Sequence, residues 1–263
     1  MNKNFLIILL ILFTSLFQNC QKGITDESNL ITTSTFDSTY LKIGVPTQGL
    51  IAYFPFNGTA DDWSGNWNNG TNHGATLTSD RFGNSRRAYH FTGGNYISIP
   101  ELFSDTVSAF TFTVWVMKDS VDNNNHAILY KGLDQGEASL SITSLKVGFG
   151  VNLETGVLGA QNWFAVNVSD TLRAKTYYFL VGRYIKGGKV DLLINGQLNG
   201  SLTVPNLPLA KWTGHSYSAI GTHTSFPATY GWNGVIDDVL IYNRALSDIE
   251  IQSLYHDGGW TGN

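Results

Sequence analysis

The stretch AFTFTVWVMK, residues 109–118, alternates strictly. Phe110, Phe112, Val114 and Val116 fall on one face of an extended chain, and Thr111, Thr113 and Trp115 fall on the other. Successive strand side chains point to opposite faces, so this pattern is that of a strand with one face on a core. Short apolar runs recur from Gly49 to Tyr255: GLIAYFPFNG, AYHFTGGNYISIP, HAILYKG, ASLSITS, LKVGFGVNL, TYYFLVGRYI and KVDLLINGQLNGS. Turn residues separate them. Gly93-Gly94 divides two apolar runs, Gly187-Gly188 reads as the turn of a hairpin, and Asn195-Gly196 is a second such signal. One helix is predicted, in SDIEIQSLYHDG. Ser247 is its N-cap, and Glu250 three residues later gives the spacing of a capping box. Ile249, Leu254 and Tyr255 would form its contact surface. The expected fold is all-β: a two-sheet antiparallel β-sandwich with a short C-terminal helix. Roughly 200 residues suffice for a sizeable core without disulfides, and the single cysteine excludes a disulfide within the chain.

The net charge of −4 suggests neither a nucleic-acid partner nor an anionic membrane surface. The N-terminus reads as a targeting segment. Lys3 is its positive region, and FLIILLILFTSLF is an apolar stretch of signal-peptide length that ends close to Cys20. A cysteine at that place resembles the lipobox of a bacterial lipoprotein, although Phe17, Gln18 and Asn19 stand where Leu-small-small is usual. The resemblance implies cleavage before Cys20, lipidation of its thiol, and a lipid-anchored place at the cell envelope, either the outer membrane or the cell surface. Without lipidation the protein would be secreted. Residues 21–48 are rich in Ser, Thr, Asp and Asn and read as a flexible tether. The organisation expected is thus 1–20 signal peptide, 21–48 tether and 49–263 folded domain.

The folded part resembles a concanavalin A-like, LamG-type jelly roll of the laminin-G/pentraxin kind. The residues that carry the resemblance are Asp62, Ser64, Gly65, Asn66, Asn68 and Gly70, then Arg81-Phe82-Gly83-Asn84, then Phe91 and Gly93. Phe110, Thr111, Trp115 and Val116 follow, then Leu192, Asn195 and Gly196, and finally the run from Gly234 to Ser247. Their order and spacing together imply the fold. They imply no single ligand, because this fold hosts many functions.

The closing run GVIDDVLIY poses a problem. On a regular strand Asp238 shares a face with Ile236, Leu240 and Tyr242, and Asp237 shares one with Val235, Val239 and Ile241. One carboxylate must then accompany the core face, and a buried unpaired carboxylate is too costly to keep. The resemblance implies a structural Ca²⁺ held by Asp62 in the first loop and Asp237 in the last strand, with Asp238 less constrained. Calcium takes six to eight oxygen ligands, and DDWSGNWNNG could aim carbonyls at it. The alternative is that Asp237 caps loop amides or pairs with Arg81 or Arg244.

No catalytic residue is expected. Glycosidases flank the scissile bond with two carboxyl groups. The five glutamates Glu27, Glu101, Glu137, Glu154 and Glu250 form no such pattern, and on a regular strand Asp237 and Asp238 would point apart. A non-catalytic carbohydrate-binding surface module fits better. Sugar rings stack on aromatic faces, and amides and hydroxyls orient them. Candidate rings in loop-like context are Trp63, Trp67, Trp163, Trp212, Trp232 and Trp260, while Trp115 reads as core. The partner expected is a glycan or cell-surface glycoconjugate. The rival is an adhesive or structural protein that binds another protein through a sheet face. The sequence does not locate the ligand site.

Overall fold

The computed structural model describes residues 44–132, 137–143, 145–155, 162–169, 172–210 and 217–261. Cys20, the apolar leader and most of the tether lie outside these residues, as does Trp212.

Two antiparallel sheets face each other. The first contains, in spatial order, β13 (Gln197–Thr203), β12 (Lys189–Ile194), β11 (Tyr177–Ile185), β6 (Ala109–Lys118), β15 (Gly234–Tyr242), β4 (Ala88–Phe91) and β3 (Thr76–Thr78). Strand β1 (Leu50–Phe54) also pairs with β15, beyond the end of β4. The second sheet runs β10 (Trp163–Ser169), β9 (Lys146–Asn152), β8 (Ala138–Thr143), β7 (His126–Lys131), β14 (Ser218–Ile220), β5 (Tyr96–Ile99) and β2 (Thr71–His73). This is the expected β-sandwich. The Gly187-Gly188 and Asn195-Gly196 turns join β11, β12 and β13 as a meander, and both Asn195 and Gly196 take the positive φ that such a turn demands. Gly93-Gly94 instead carries the chain from β4 in the first sheet to β5 in the second.

The alternation of β6 plays out as the sequence demands. Phe110, Phe112, Val114 and Val116 enter the core between the sheets, with Phe54, Phe91, Leu140, Phe149, Leu192, Ile236, Val239 and Ile241. Trp115 points the other way, into a second apolar cluster on the outer face of the first sheet. That cluster holds Tyr53, Phe179, Val181, Leu193, Leu240 and Tyr242, and it is covered by Leu246 and by helix α2 (Asp248–Tyr255). A short helix α1 (Pro227–Tyr230) precedes β15.

Helix α2 begins with the predicted capping box. The Ser247 hydroxyl accepts from the Glu250 amide at 3.3 Å, and the Glu250 carboxylate accepts from the Ser247 amide at 2.8 Å. Its contact surface differs from expectation: Ile251 and Leu254 are buried, whereas Ile249 is 83% exposed. One turn of helix separates the buried pair, so Ile251 and Leu254 share a face that Ile249 does not. Full burial of Trp115, Phe179, Val181, Leu193, Leu240 and Tyr242 is worth on the order of 10 kcal/mol at about 1.5–3 kcal/mol per side chain, a sum that helix α2 shares with Leu246, Trp260 and neighbours in the sheet. The C-terminal helix is therefore part of the fold rather than an appendage.

Candidate functional site

The two aspartates of β15 occupy a β-bulge. The register of β15 against β6 shifts between Asp237 and Leu240, and Asp238 takes φ 41°. The inserted residue breaks the period of two. Ile236, Val239 and Ile241 face the core between the sheets. Both carboxylates lie with the second cluster, on the other side, where Tyr53 and the Arg81–Trp115 stack meet them. The expectation that they point to opposite faces, and that Asp238 is the less constrained, is thus corrected: Asp238 is only 4% exposed.

Their partner is Arg81. Its Nη1 carries two N–H groups, one donated to Asp237 at 2.8 Å and one to Asp238 at 2.6 Å. The guanidinium lies 4.6 Å from the Trp115 ring centroid and 4.5 Å from that of Phe82, and Asp257 approaches it at 3.8 Å. Burial works against its charge, yet Asp238 and Asp237 outweigh burial and raise its pKa above the ordinary value. Burial, and next the Asp238 carboxylate, hold the Tyr53 hydroxyl well above the usual phenol range. It therefore stays protonated and donates to Asp238 at 3.1 Å. Arg244 pairs with Glu250 instead.

Asp62 serves its own loop. One oxygen accepts from the Tyr53 amide at 2.9 Å and the Ser64 amide at 2.8 Å. The other accepts from the Asn68 amide and the Ser64 hydroxyl, both at 2.9 Å. These residues do not fit a calcium ion shared between Asp62 and Asp237. Four donors already occupy Asp62, and a dication at Asp237 would sit beside a guanidinium 2.8 Å away. Among the described residues no group of three or more His, Cys, Asp or Glu side chains is arranged to hold a metal ion. The link between first loop and last strand runs through Tyr53, whose amide reaches Asp62 and whose hydroxyl reaches Asp238.

A larger concavity of about 760 Å³ lies on the outer face of the second sheet. Its floor consists of two rows of residues that cross β7, β8, β9 and β10. One row is Tyr130–Ser139–Gly150–Ala165, and the other is Ala127–Ser141–Gly148–Asn167. Small side chains make the floor low. The glycines also permit close approach: a Cβ on Gly150 would stand 2.7 Å from Ala165 Cβ, and one on Gly148 would stand 2.4 Å from Asn167 Oδ1. A bulge in β7 between Ala127 and Leu129 places Tyr130, rather than Leu129, on this face.

Aromatic rings mark both ends. Trp163 opens β10 at one end. At the other, His223 lies over Tyr130 with ring centroids 4.0 Å apart, and Phe226 and Tyr230 stand 5.4 and 5.3 Å from His223. Phe226 is 51% exposed. Thr224 donates to the Gly132 carbonyl at 2.7 Å, which pins this loop to the end of β7. The His126 ring reaches the Gly231 carbonyl at 2.6 Å and Asp122 at 2.8 Å, and so fixes the chain just after Tyr230.

Of the candidate tryptophans, only Trp163 lines this groove among the described residues. Trp232 is fully buried, and Trp63 and Trp260 pack on the second cluster. Trp67 stands 68% exposed on the first loop. Tyr130, His223, Phe226 and Tyr230 were not singled out from the sequence. The ring-rich stretch HTSFPATY was the signal available for three of them.

A family model described as the concanavalin A-like lectin/glucanases superfamily (Laminin_G_3) matches residues 91–252. The chain belongs to this superfamily. It contains both lectins and glycosidases. No curated protein matches the sequence. Among solved structures, domain 4 of AbnA, a GH43 extracellular arabinanase from Geobacillus stearothermophilus, in complex with arabinotriose, is similar at TM-score 0.61 and 18% identity. The match covers 78% of this chain and 98% of that domain. The botulinum neurotoxin serotype D ligand binding domain in complex with N-acetylneuraminic acid matches at TM-score 0.59 and 16% identity, over 80% of this chain and 51% of that one. The binding domain of botulinum neurotoxin DC in complex with rat synaptotagmin II matches at 0.60 and 14%, over 79% and 51%. The chain spans about half the length of these toxin domains. At such identities the likeness is one of fold.

Proposed function

We propose that the protein is a non-catalytic carbohydrate-binding module. The observation that carries this reading is the groove on the outer face of the second sheet. Rings at its two ends can stack on sugar faces, and the Ser, Thr and Asn side chains of its lining can bond to hydroxyls. Its volume falls in the range usual for ligand sites. The solved neighbours that hold arabinotriose and N-acetylneuraminic acid support a glycan partner on this fold. A face-wide protein contact on the first sheet is disfavoured, because the chain's own helix α2 covers that apolar cluster.

A carboxylate pair is what a glycosidase would need, and the described lining of the groove carries neither Asp nor Glu. Asp237 and Asp238 are committed to Arg81. Lipidation at Cys20, with residues 21–48 as a tether, would hold the module at a bacterial cell envelope. Replacing Cys20 by Ser would then move the protein from the membrane fraction to the soluble one. Affinity electrophoresis against a panel of polysaccharides, with product analysis on the same mixtures, tests the main reading. Retardation without product release is expected, and steady release that scales with protein concentration would overturn it.

A further inference from the structure

The groove has a chemical bias that its outline alone does not express. Its described lining, floored by Ser139, Ser141, Gly148, Gly150 and Asn167, carries no lysine, arginine, aspartate or glutamate. Of its two histidines, His126 is buried and turned to Gly231 and Asp122. Two buried lysines nearby are engaged elsewhere. Lys131 is buried and pairs with Glu137, and Lys118 is buried beside Asp122. Lys146 is exposed at the start of β9, opposite Thr143 of the lining and one outward position beyond Gly148, so it stands at the groove's edge and not on its floor. A site for sialic acid, a uronate or a sulfated sugar would be expected to answer the ligand's charge with a guanidinium, an ammonium or clustered backbone amides. The outward rows here offer hydroxyls, side-chain amides and glycine.

The end rings add a second constraint. Trp163 lies on β10, while His223 and Phe226 stand over the β7 side. Three strand spacings separate β10 from β7, roughly 14 Å. One sugar ring cannot touch both ends. Between them the two low rows leave a trough across four strands, open enough for a chain to lie in.

We propose that the groove binds a neutral glycan chain that lies across β7 to β10, with one sugar on Trp163 and another on the His223–Phe226 group. This rests on the carbohydrate-binding reading above. Isothermal titration of the full chain with neutral oligosaccharides of increasing length, from arabinan, xylan and mixed-linkage β-glucan, tests it beside oligogalacturonate, alginate oligomers and sialyllactose. Affinity for at least one neutral series should rise with length and then level off, and it should be unchanged between low and molar salt, where charge attraction is screened. Trp163→Ala and Phe226→Ala should each lower affinity about tenfold or more, the size expected for removing an anchoring ring, and each should abolish the gain from length. Preference for an acidic or sialylated ligand with salt-sensitive affinity would overturn the proposal and leave the carbohydrate reading standing. Binding of a single sugar as tight as that of its oligomers would do the same. Failure of both ligand classes would overturn the carbohydrate reading itself.

Discussion

The two outer faces of this sandwich differ in what they leave to water. The face of the first sheet carries Trp115, Phe179, Leu240 and Tyr242, with two buried charge groups beside them. Arg81 serves Asp237 and Asp238. Arg183 bonds to Asp191 at 2.8 Å through Nη2, and through Nη1 to Asp248 at 2.7 Å and the Leu246 carbonyl at 2.8 Å. Large apolar groups and buried ions both need a cover, and the chain supplies its own last helix. The face of the second sheet carries Ser139, Ser141, Gly148 and Gly150 between aromatic ends. Little is lost by leaving such a surface wet, so it can await a ligand. Sheet faces of one molecule thus divide by side-chain size and charge into a sealed one and an open one.

The comparison breaks most easily at Arg81. Arg81→Ala leaves two buried carboxylates without their cation. Removing one partner of a buried pair costs about 3–5 kcal/mol, which for a domain of this size lowers the melting temperature by roughly 10 °C. A thermal melt that stays within about 2 °C of wild type would show that the sealed face does not depend on this charge. A smaller loss is expected for Asp238→Asn, about 1–3 kcal/mol, since both the Tyr53 hydroxyl and Arg81 lose their charged acceptor. Asp237→Asn should fall in the same range rather than dominate. EDTA should leave the wild-type melting point unmoved, because Arg81 supplies the positive charge. A drop restored by calcium would contradict this assignment.

The open face should respond in the reverse sense. Ser141→Leu raises the middle of the trough between Ala127 and Gly148. Binding to a retained polysaccharide should weaken about tenfold, equivalent to about 1.4 kcal/mol. Stability should move by no more than about 0.5 kcal/mol. Equal losses in binding and melting temperature would mean that the two faces are not separable.

The smallest effect belongs to the edge of the seal. Arg244, and then burial and Ser247, act on Glu250, and the balance lowers its pKa from 4.5 to about 2. A depressed carboxyl stabilises the fold above its unfolded pKa and loses that contribution as pH falls through the folded one. The stability gap between wild type and Glu250→Gln should therefore be constant above about pH 5 and close by about pH 2. It should not exceed about 1 kcal/mol, because the pair is partly exposed and screened. A gap that widens on acidification would count against the capping-box account.

Much of the fold was legible because local chemistry and pattern agree. Strict alternation fixes β6, Asn195-Gly196 fixes the β12–β13 turn, and Ser247 with Glu250 fixes the start of α2. Arg81 was named as one of the alternatives for Asp237. What period-two reading cannot register is an inserted residue. The bulge at Asp238 turned both aspartates to one side, and the bulge in β7 brought Tyr130 to the surface face. The groove escaped notice for a related reason. Its floor is serine, alanine and glycine from separate strands, and such residues mark nothing until the strands are side by side. Its described rings are chiefly Tyr, Phe and His, residues that serve as readily in cores and loop covers, with Trp163 the one tryptophan among them.

Strand β15 lies between β6 on one side and β1 with β4 on the other, although it comes last among the strands in the chain. The middle of the first sheet therefore cannot close until about Tyr242 has left the ribosome. Until then β1 and β4 have no neighbour that joins them to β6. A sheet built on such distant pairings forms slowly compared with one built from hairpins. The hairpins β7 to β10 and β11 to β13 need no such late partner, so a chain truncated before Gly234 keeps its local pairings but loses the strand that joins β1 and β4 to β6.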